Sequence, residues 1–168
     1  DEIEAHLRRA LHSYSRIQPR RLVGTLATSS GEREYALASL SGLLTVLDIW
    51  YPYDPTTPPY PPNRPAWSQP YDGYLRLEVA DAPSGAADEL VRIFYTAAHT
   101  IDDLDGATST TLDADGEGLV VLGATAYAAE QLAQSAIGKV SVSGWTPVNI
   151  QRWAAARMQA FEQALGDL

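Results

Sequence analysis

Cysteine is absent from this chain, which removes disulfides, thiolate metal sites and cysteine nucleophiles at once. Lysine is nearly absent, with Lys139 standing alone. The Gly-x-x-x-x-Gly-Lys phosphate loop is therefore missing, and no Gly-x-Gly-x-x-Gly run takes its place. No Gly-x-Ser-x-Gly turn presents a nucleophile. Long apolar runs are also lacking: none approaches the roughly 20 residues of a spanning helix, so no membrane segment is expected. No basic stretch followed by an apolar one opens the chain, so no secretion signal is expected. The net charge of −9 speaks against a dedicated nucleic-acid binder, which takes its affinity from Lys and Arg on phosphates.

What is present suits a folded protein. A chain of 168 residues that is 45% hydrophobic reads as a single domain, 1–168, able to bury roughly 70% of the surface its unfolded form exposes. Charge is unevenly placed. Arg8, Arg9, Arg16, Arg20 and Arg21 supply five of the twelve basic residues within the first 21 positions. Asp102, Asp103, Asp105, Asp113, Asp115 and Glu117 form an acidic block with no base inside it. Such a block is either a solvated surface or one half of a charge-matched contact.

The hydrophobic periodicity divides the chain into helix, sheet and helix. Ile3, Leu7, Leu11 and Tyr14 follow helical spacing over Glu2–Ser15 behind Asp1 as N-cap, and Pro19 closes an N-terminal helical segment, 1–18. A β-rich insertion, 19–98, follows. Leu22–Thr28 and Arg33–Leu37 read as a hairpin around the Ser29–Glu32 turn, and Leu43–Trp50 as a buried strand. Tyr74–Val79 alternates apolar and polar residues, and Leu90–Thr96 reads as its partner, so four or five antiparallel strands in a meander are expected. An acidic loop, 99–117, leads to a C-terminal helical part, 118–168. There Gly118–Ile137 is a small-residue helix with Gly138 at its end, and Thr146-Pro147 caps a last helix. The fold class is α+β: a helical bundle of one N-terminal and two C-terminal helices carrying an inserted antiparallel β-region.

Within the insertion, eight of the eleven prolines fall in a Pro/Tyr-rich loop, 51–73. Proline at that density forbids helix or central strand. Within the loop, Pro55–Pro58 and Pro62–Pro65 both match P-x-x-P. Its aromatics, Tyr53, Tyr60 and Trp67 among them, suit a subunit contact or packing on the chain's own sheet.

The histidines and the acids show no spacing that chemistry requires. His6 and His12 lie six residues apart on one helix and share no metal-binding face. His99 precedes Asp102 and Asp103 without a nucleophile in sequence, and is expected to be a loop histidine held by the backbone. Placing Gly116 at the sixth position of an EF-hand loop puts Thr111 first and Leu122 twelfth; placing Gly106 there puts Ile101 first and Leu112 twelfth. Both fail the calcium pattern. Helix capping by Asp113 or Asp115 accounts for those acids. No catalytic residue, cofactor or metal is expected, and the chain reads as a non-enzyme.

The runs Pro19-Arg20-Arg21-Leu22-Val23, Glu34-Tyr35-Ala36-Leu37 and Val46–Pro52, with the turn at Gly31, resemble a pattern in neck proteins of tailed bacteriophages. Val91–Ile101 and Leu122–Ala129 are similar again. The likeness is to the head–tail adaptor (connector) group and covers most of the chain, with the Pro/Tyr loop outside the pattern. It implies a structural virion protein: a ring of about twelve copies under the portal, joining head to tail and extending the DNA channel. The implied partners are the portal protein, the next neck or tail protein and further copies of the chain. DNA would pass without sequence-specific binding. The implied location is the virion neck, assembled in the bacterial host cytoplasm, with no membrane. On that reading Trp153, Arg157, Phe161 and Leu165 of the last helix, with Tyr53, Tyr60 and Trp67, are candidate portal or subunit contacts. The same helical face alternatively forms the domain core. Asp102, Asp103 and Asp105 are candidate channel-facing acids, since like charge lets DNA slide. The alternatives are a non-catalytic binding module whose Pro/Tyr loop captures a peptide or carbohydrate, and a hydrolase built on His99.

Overall fold

The computed structural model describes residues 1–136 and 147–168. Its order is α1 (Glu2–Ile17), β1 (Arg20–Ala27), β2 (Glu34–Ala36), β3 (Leu43–Tyr53), β4 (Ala66–Ser68), β5 (Tyr74–Glu78), β6 (Leu90–Ala97), α2 (Ala114–Ser135) and α3 (Pro147–Gly166). The class is α+β, with three helices and six antiparallel strands. Two compact units are distinguished. One comprises Asp1–Pro19 with Ala98–Leu168, and the other Arg20–Ala97. The residues expected to close the second helix (Gly138) and cap the third (Thr146) lie outside the described residues.

In the helical unit, local rules set the ends. The Asp1 side chain accepts from Ile3 N–H at 3.2 Å, and Glu2 and Glu4 set negative charge against the helix N-terminus. Leu7, Ala10, Leu11 and Tyr14 turn inward. Ile3, expected on the same stripe, is 67% exposed. α2 starts four residues earlier than its apolar pattern indicated. The reason is Asp113, whose Oδ1 accepts from Gly116 N–H at 2.8 Å and satisfies an orphan donor of the first turn.

Small residues on α2 serve close approach on two sides. A Cβ added to Gly116 would lie 2.8 Å from the Tyr14 hydroxyl of α1. One added to Gly123 would lie 2.6 Å from the Phe161 ring of α3 and 2.9 Å from Ala10 of α1. Ala129, Ala133 and Ala154 continue the α2–α3 contact, flanked by Ile150 and Trp153.

The β-unit differs from a meander. Its strands form two three-stranded sheets, ordered β1-β6-β3 and β2-β5-β4. The expected β1–β2 hairpin does not form, because the strands belong to different sheets. β5 and β6 are likewise not partners. Burial explains both results. β6 is buried or half-buried along its whole length and takes the central place between β1 and β3. β5 is short and alternates exposed with buried residues, so it is matched by the three-residue strands β2 and β4. The two sheets share one core: Val46, Ile49, Tyr51, Val91, Ile93 and Tyr95 meet Tyr35, Leu75 and Leu77. Pro52 sits on β3, an edge strand, where a missing N–H costs no ladder bond. Among the described residues, no helix is long and apolar enough to cross a membrane.

Candidate functional site

The acidic loop is a tied structure within the helical unit. His99 N–H donates to the buried Ser15 hydroxyl at 3.0 Å. The His99 ring nitrogens lie 3.1 Å from the Thr111 carbonyl and 3.0 Å from the Gln18 carbonyl, and Tyr14 packs edge-on to the ring at 5.3 Å. Thr100 and Thr111 bond each other's backbone, and Asp102 N–H donates to Thr110. With both ring nitrogens directed at backbone carbonyls, His99 clamps the loop to the end of α1, and neither nitrogen faces Asp102 or Asp103. Among the described residues, no group of three His, Asp or Glu side chains converges to hold a metal ion.

The three candidate channel acids differ from one another. All are exposed. Asp103 and Asp105 occupy the left-handed region (φ 62° and 55°), which aspartate tolerates better than most residues. Asp105 accepts from Arg8 Nε at 2.7 Å, and Arg8 also reaches Glu4 at 3.1 Å. Asp102 and Asp103 make no ion pair among the described residues. Sequence reasoning missed the Arg8–Asp105 tie, since 97 residues separate the partners.

The α3 candidates also separate. Phe161 is 1% exposed and packs edge-on to Tyr127 at 5.8 Å. Leu165 is half-buried beside the same cluster. Trp153 is half-buried against the alanine contact between α2 and α3, with the exposed Arg157 guanidinium 5.8 Å from its ring centroid. A shallow groove of about 350 Å³ lies between α2 and α3, its lining including Ala133, Ala154, Ala155 and Met158. A second groove of about 410 Å³, between α1 and α2, carries the exposed Ile3 and Leu132.

In the β-unit, Tyr53 is buried and its hydroxyl accepts from Arg92 at 2.8 Å. Arg92 lies over three rings, Tyr53 at 4.7 Å, Trp50 at 5.2 Å and Phe94 at 5.5 Å. Trp67 is half-buried against the sheet core. Tyr60 alone of the three loop candidates is fully open, at 96%. The Arg92 cluster gave no sequence signal, because it is assembled by the β3–β6 register.

A polar knot secures the end of the same unit. Tyr51 O–H donates to Glu89, which also accepts from the Ser84 hydroxyl and from Ser84 N–H. Burial, and next the bond to Glu89, push the Tyr51 hydroxyl up from its ordinary value. The Ser84 and then the Tyr51 bonds hold the Glu89 carboxyl below its ordinary 4.5. A depressed carboxyl contributes stability that is complete above 4.5 and lost as pH falls through the lower folded value. The raised tyrosine contributes below its ordinary 10.0 and is lost as pH rises through the folded value. In urea titrations at stepped pH, Glu89→Gln should therefore be less stable than the parent at neutral pH. The gap should close below pH 4.5. A gap of constant size would remove Glu89 from the acid response.

No family model matches the chain, and no curated protein matches it. Solved structures that contain a similar chain include the virion of a native gene transfer agent particle, at 19% identity and a TM-score of 0.34, covering 89% of this chain and 74% of that one. The neck of the empty gene transfer agent particle, computed with C6 symmetry, contains a chain at 18% identity and a TM-score of 0.36, covering 89% and 75%. The neck of the native particle, computed with C12 symmetry, gives 18% identity and a TM-score of 0.36, covering 89% and 79%.

Proposed function

We propose that this chain is a structural, non-catalytic part of a tailed-phage-like virion neck, a head–tail adaptor that forms a ring below the portal and extends the DNA channel. The observation that carries the reading is the insertion: helices from both ends of the chain build one unit, and the antiparallel β-unit is inserted between α1 and α2. That is the architecture implied by the sequence resemblance to the adaptor group. Its partners on this reading are the portal, the next neck protein and further copies of the chain, within a virion assembled in the bacterial cytoplasm.

The side chains divide the work. Asp102 and Asp103, exposed and without an ion pair among the described residues, face passing DNA. Asp105 is partly neutralised by Arg8 and shapes the loop. Arg157 and Tyr60 are the exposed contacts, and Trp153 and Trp67 are half-exposed. Phe161, Leu165 and Tyr53 support these surfaces from within their own units.

Mass photometry with negative-stain microscopy, on the protein alone and mixed with its portal, tests this. A closed ring of about twelve subunits, or a cap on the portal, is expected. A monomer that ignores the portal overturns the reading. In assembled particles, Asp102→Asn with Asp103→Asn should slow DNA ejection, and an unchanged rate takes those acids off the channel wall.

A further inference from the structure

The β-unit has four sheet edges, and three are blunted. β2 and β4 offer only three residues each. β3 has register shifts at three places and carries Pro52. Its outer side is also occupied, since Tyr51 N–H donates to the Asn63 carbonyl at 3.1 Å and Asn63 Nδ2 donates to the Tyr51 carbonyl at 2.7 Å. Bulges, prolines and covering loops are the means by which edges avoid pairing with other chains.

β1 uses none of them. Its eight residues pair with β6 without one register shift, and no strand among the described residues pairs with its other side. It contains no proline and no lysine, and its one charge on the inward-facing side, Arg20, stands half-buried at its first position. Leu22, Gly24 and Leu26 alternate toward the core, while Val23 and Thr25 stand on the outer face with Val23 48% exposed. Such an edge presents a row of backbone donors and acceptors to an extended segment.

The charge at the head of the strand states what that segment carries. Arg20 and Arg21 open β1, and neither makes an ion pair or side-chain hydrogen bond among the described residues. In a chain with only twelve basic residues, two uncompensated guanidiniums at one end of an open edge complement carboxylates. We propose that β1 is a docking edge for an extended acidic segment of another protein, which adds as a fourth strand to β1-β6-β3 with its carboxylates against Arg20 and Arg21. The proposal stands on the edge and its arginines and does not depend on the neck reading.

The test uses the full chain and a blocked ten-residue peptide that alternates valine and threonine between glutamates at both ends. Fluorescence anisotropy measures binding, and hydrogen exchange locates it. Slowed exchange of amides in Leu22–Leu26 is expected. The same peptide with lysine for glutamate, or with a central proline, should bind about tenfold more weakly or worse. Arg20→Gln with Arg21→Gln should weaken the glutamate peptide about tenfold while leaving the urea midpoint unchanged. No binding of the glutamate peptide, equal binding of the lysine peptide, or protection away from β1 overturns the proposal. Protection of β1 that rises with concentration of the chain alone also overturns it, and puts a second copy on the edge.

Discussion

Replacing Phe161 with alanine should cost the helical unit about 3–5 kcal/mol, the usual loss for a large aromatic taken from a closed core. Three observations put the expectation at that end of the scale. The ring is 1% exposed. It packs on Tyr127 at 5.8 Å, so an edge-to-face aromatic contact is lost as well. It also lies where α2 has no side chain: a Cβ on Gly123 would come within 2.6 Å of the ring. The reciprocal change is therefore costly too. Gly123→Ala gains about 1 kcal/mol of helix propensity, yet the ring must move into already packed space, which typically costs about 1–3 kcal/mol. Combining Gly123→Ala with Phe161→Leu should cost less than the sum of the two single changes, because the smaller side chain makes room for the methyl. Urea unfolding followed by helical circular dichroism reads the four variants against the parent. If Phe161→Ala melts like the parent but loses the proposed ring or portal assembly, Phe161 is an interface residue and the packing account is wrong.

In the β-unit the largest effect is expected at Ile93, where alanine should cost about 2–5 kcal/mol. Ile93 is wholly buried and lies on the central strand, opposite Gly24 of β1 and Ile49 of β3. Its side chain belongs to the cluster shared by both sheets, so truncation opens a cavity that neither sheet can close alone. Leu47→Ala is the matched control. Leu47 is 50% exposed and falls within a register shift of β3, so its loss should stay within about 0.5 kcal/mol. Equal shifts of the urea midpoint for the two variants would refute the placement of the core.

Much of this protein was legible in sequence because the signals are local. Asp1 before an apolar stripe and Pro19 after it bound α1 to within two residues. Clustered prolines marked the segment where only an edge position and a three-residue strand occur. The carboxylates before the small-residue helix suit capping, and Asp113 caps it. Without a nucleophile nearby in sequence, His99 is expected to be a loop histidine held by the backbone, and it sits against the Thr111 and Gln18 carbonyls.

What failed was pairing. Leu22–Thr28 beside Arg33–Leu37, and Tyr74–Val79 beside Leu90–Thr96, look like hairpins to any reading that favours neighbours. Yet β1 pairs with β6 and β2 with β5. The candidate contacts divided for the same reason. Helical spacing placed Trp153, Arg157, Phe161 and Leu165 on one side of α3, but only packing distinguishes the buried Phe161 from the exposed Arg157. The sequence by itself determined the class, the three helices, five of the six strand positions and the N-caps of the first two helices, because caps, proline breaks and hydrophobic periods act within a few residues. Tertiary structure decided which strands meet, which aromatics are enclosed and which edge stays open. Those outcomes depend on burial summed over residues far apart in the chain, and no local pattern contains that sum.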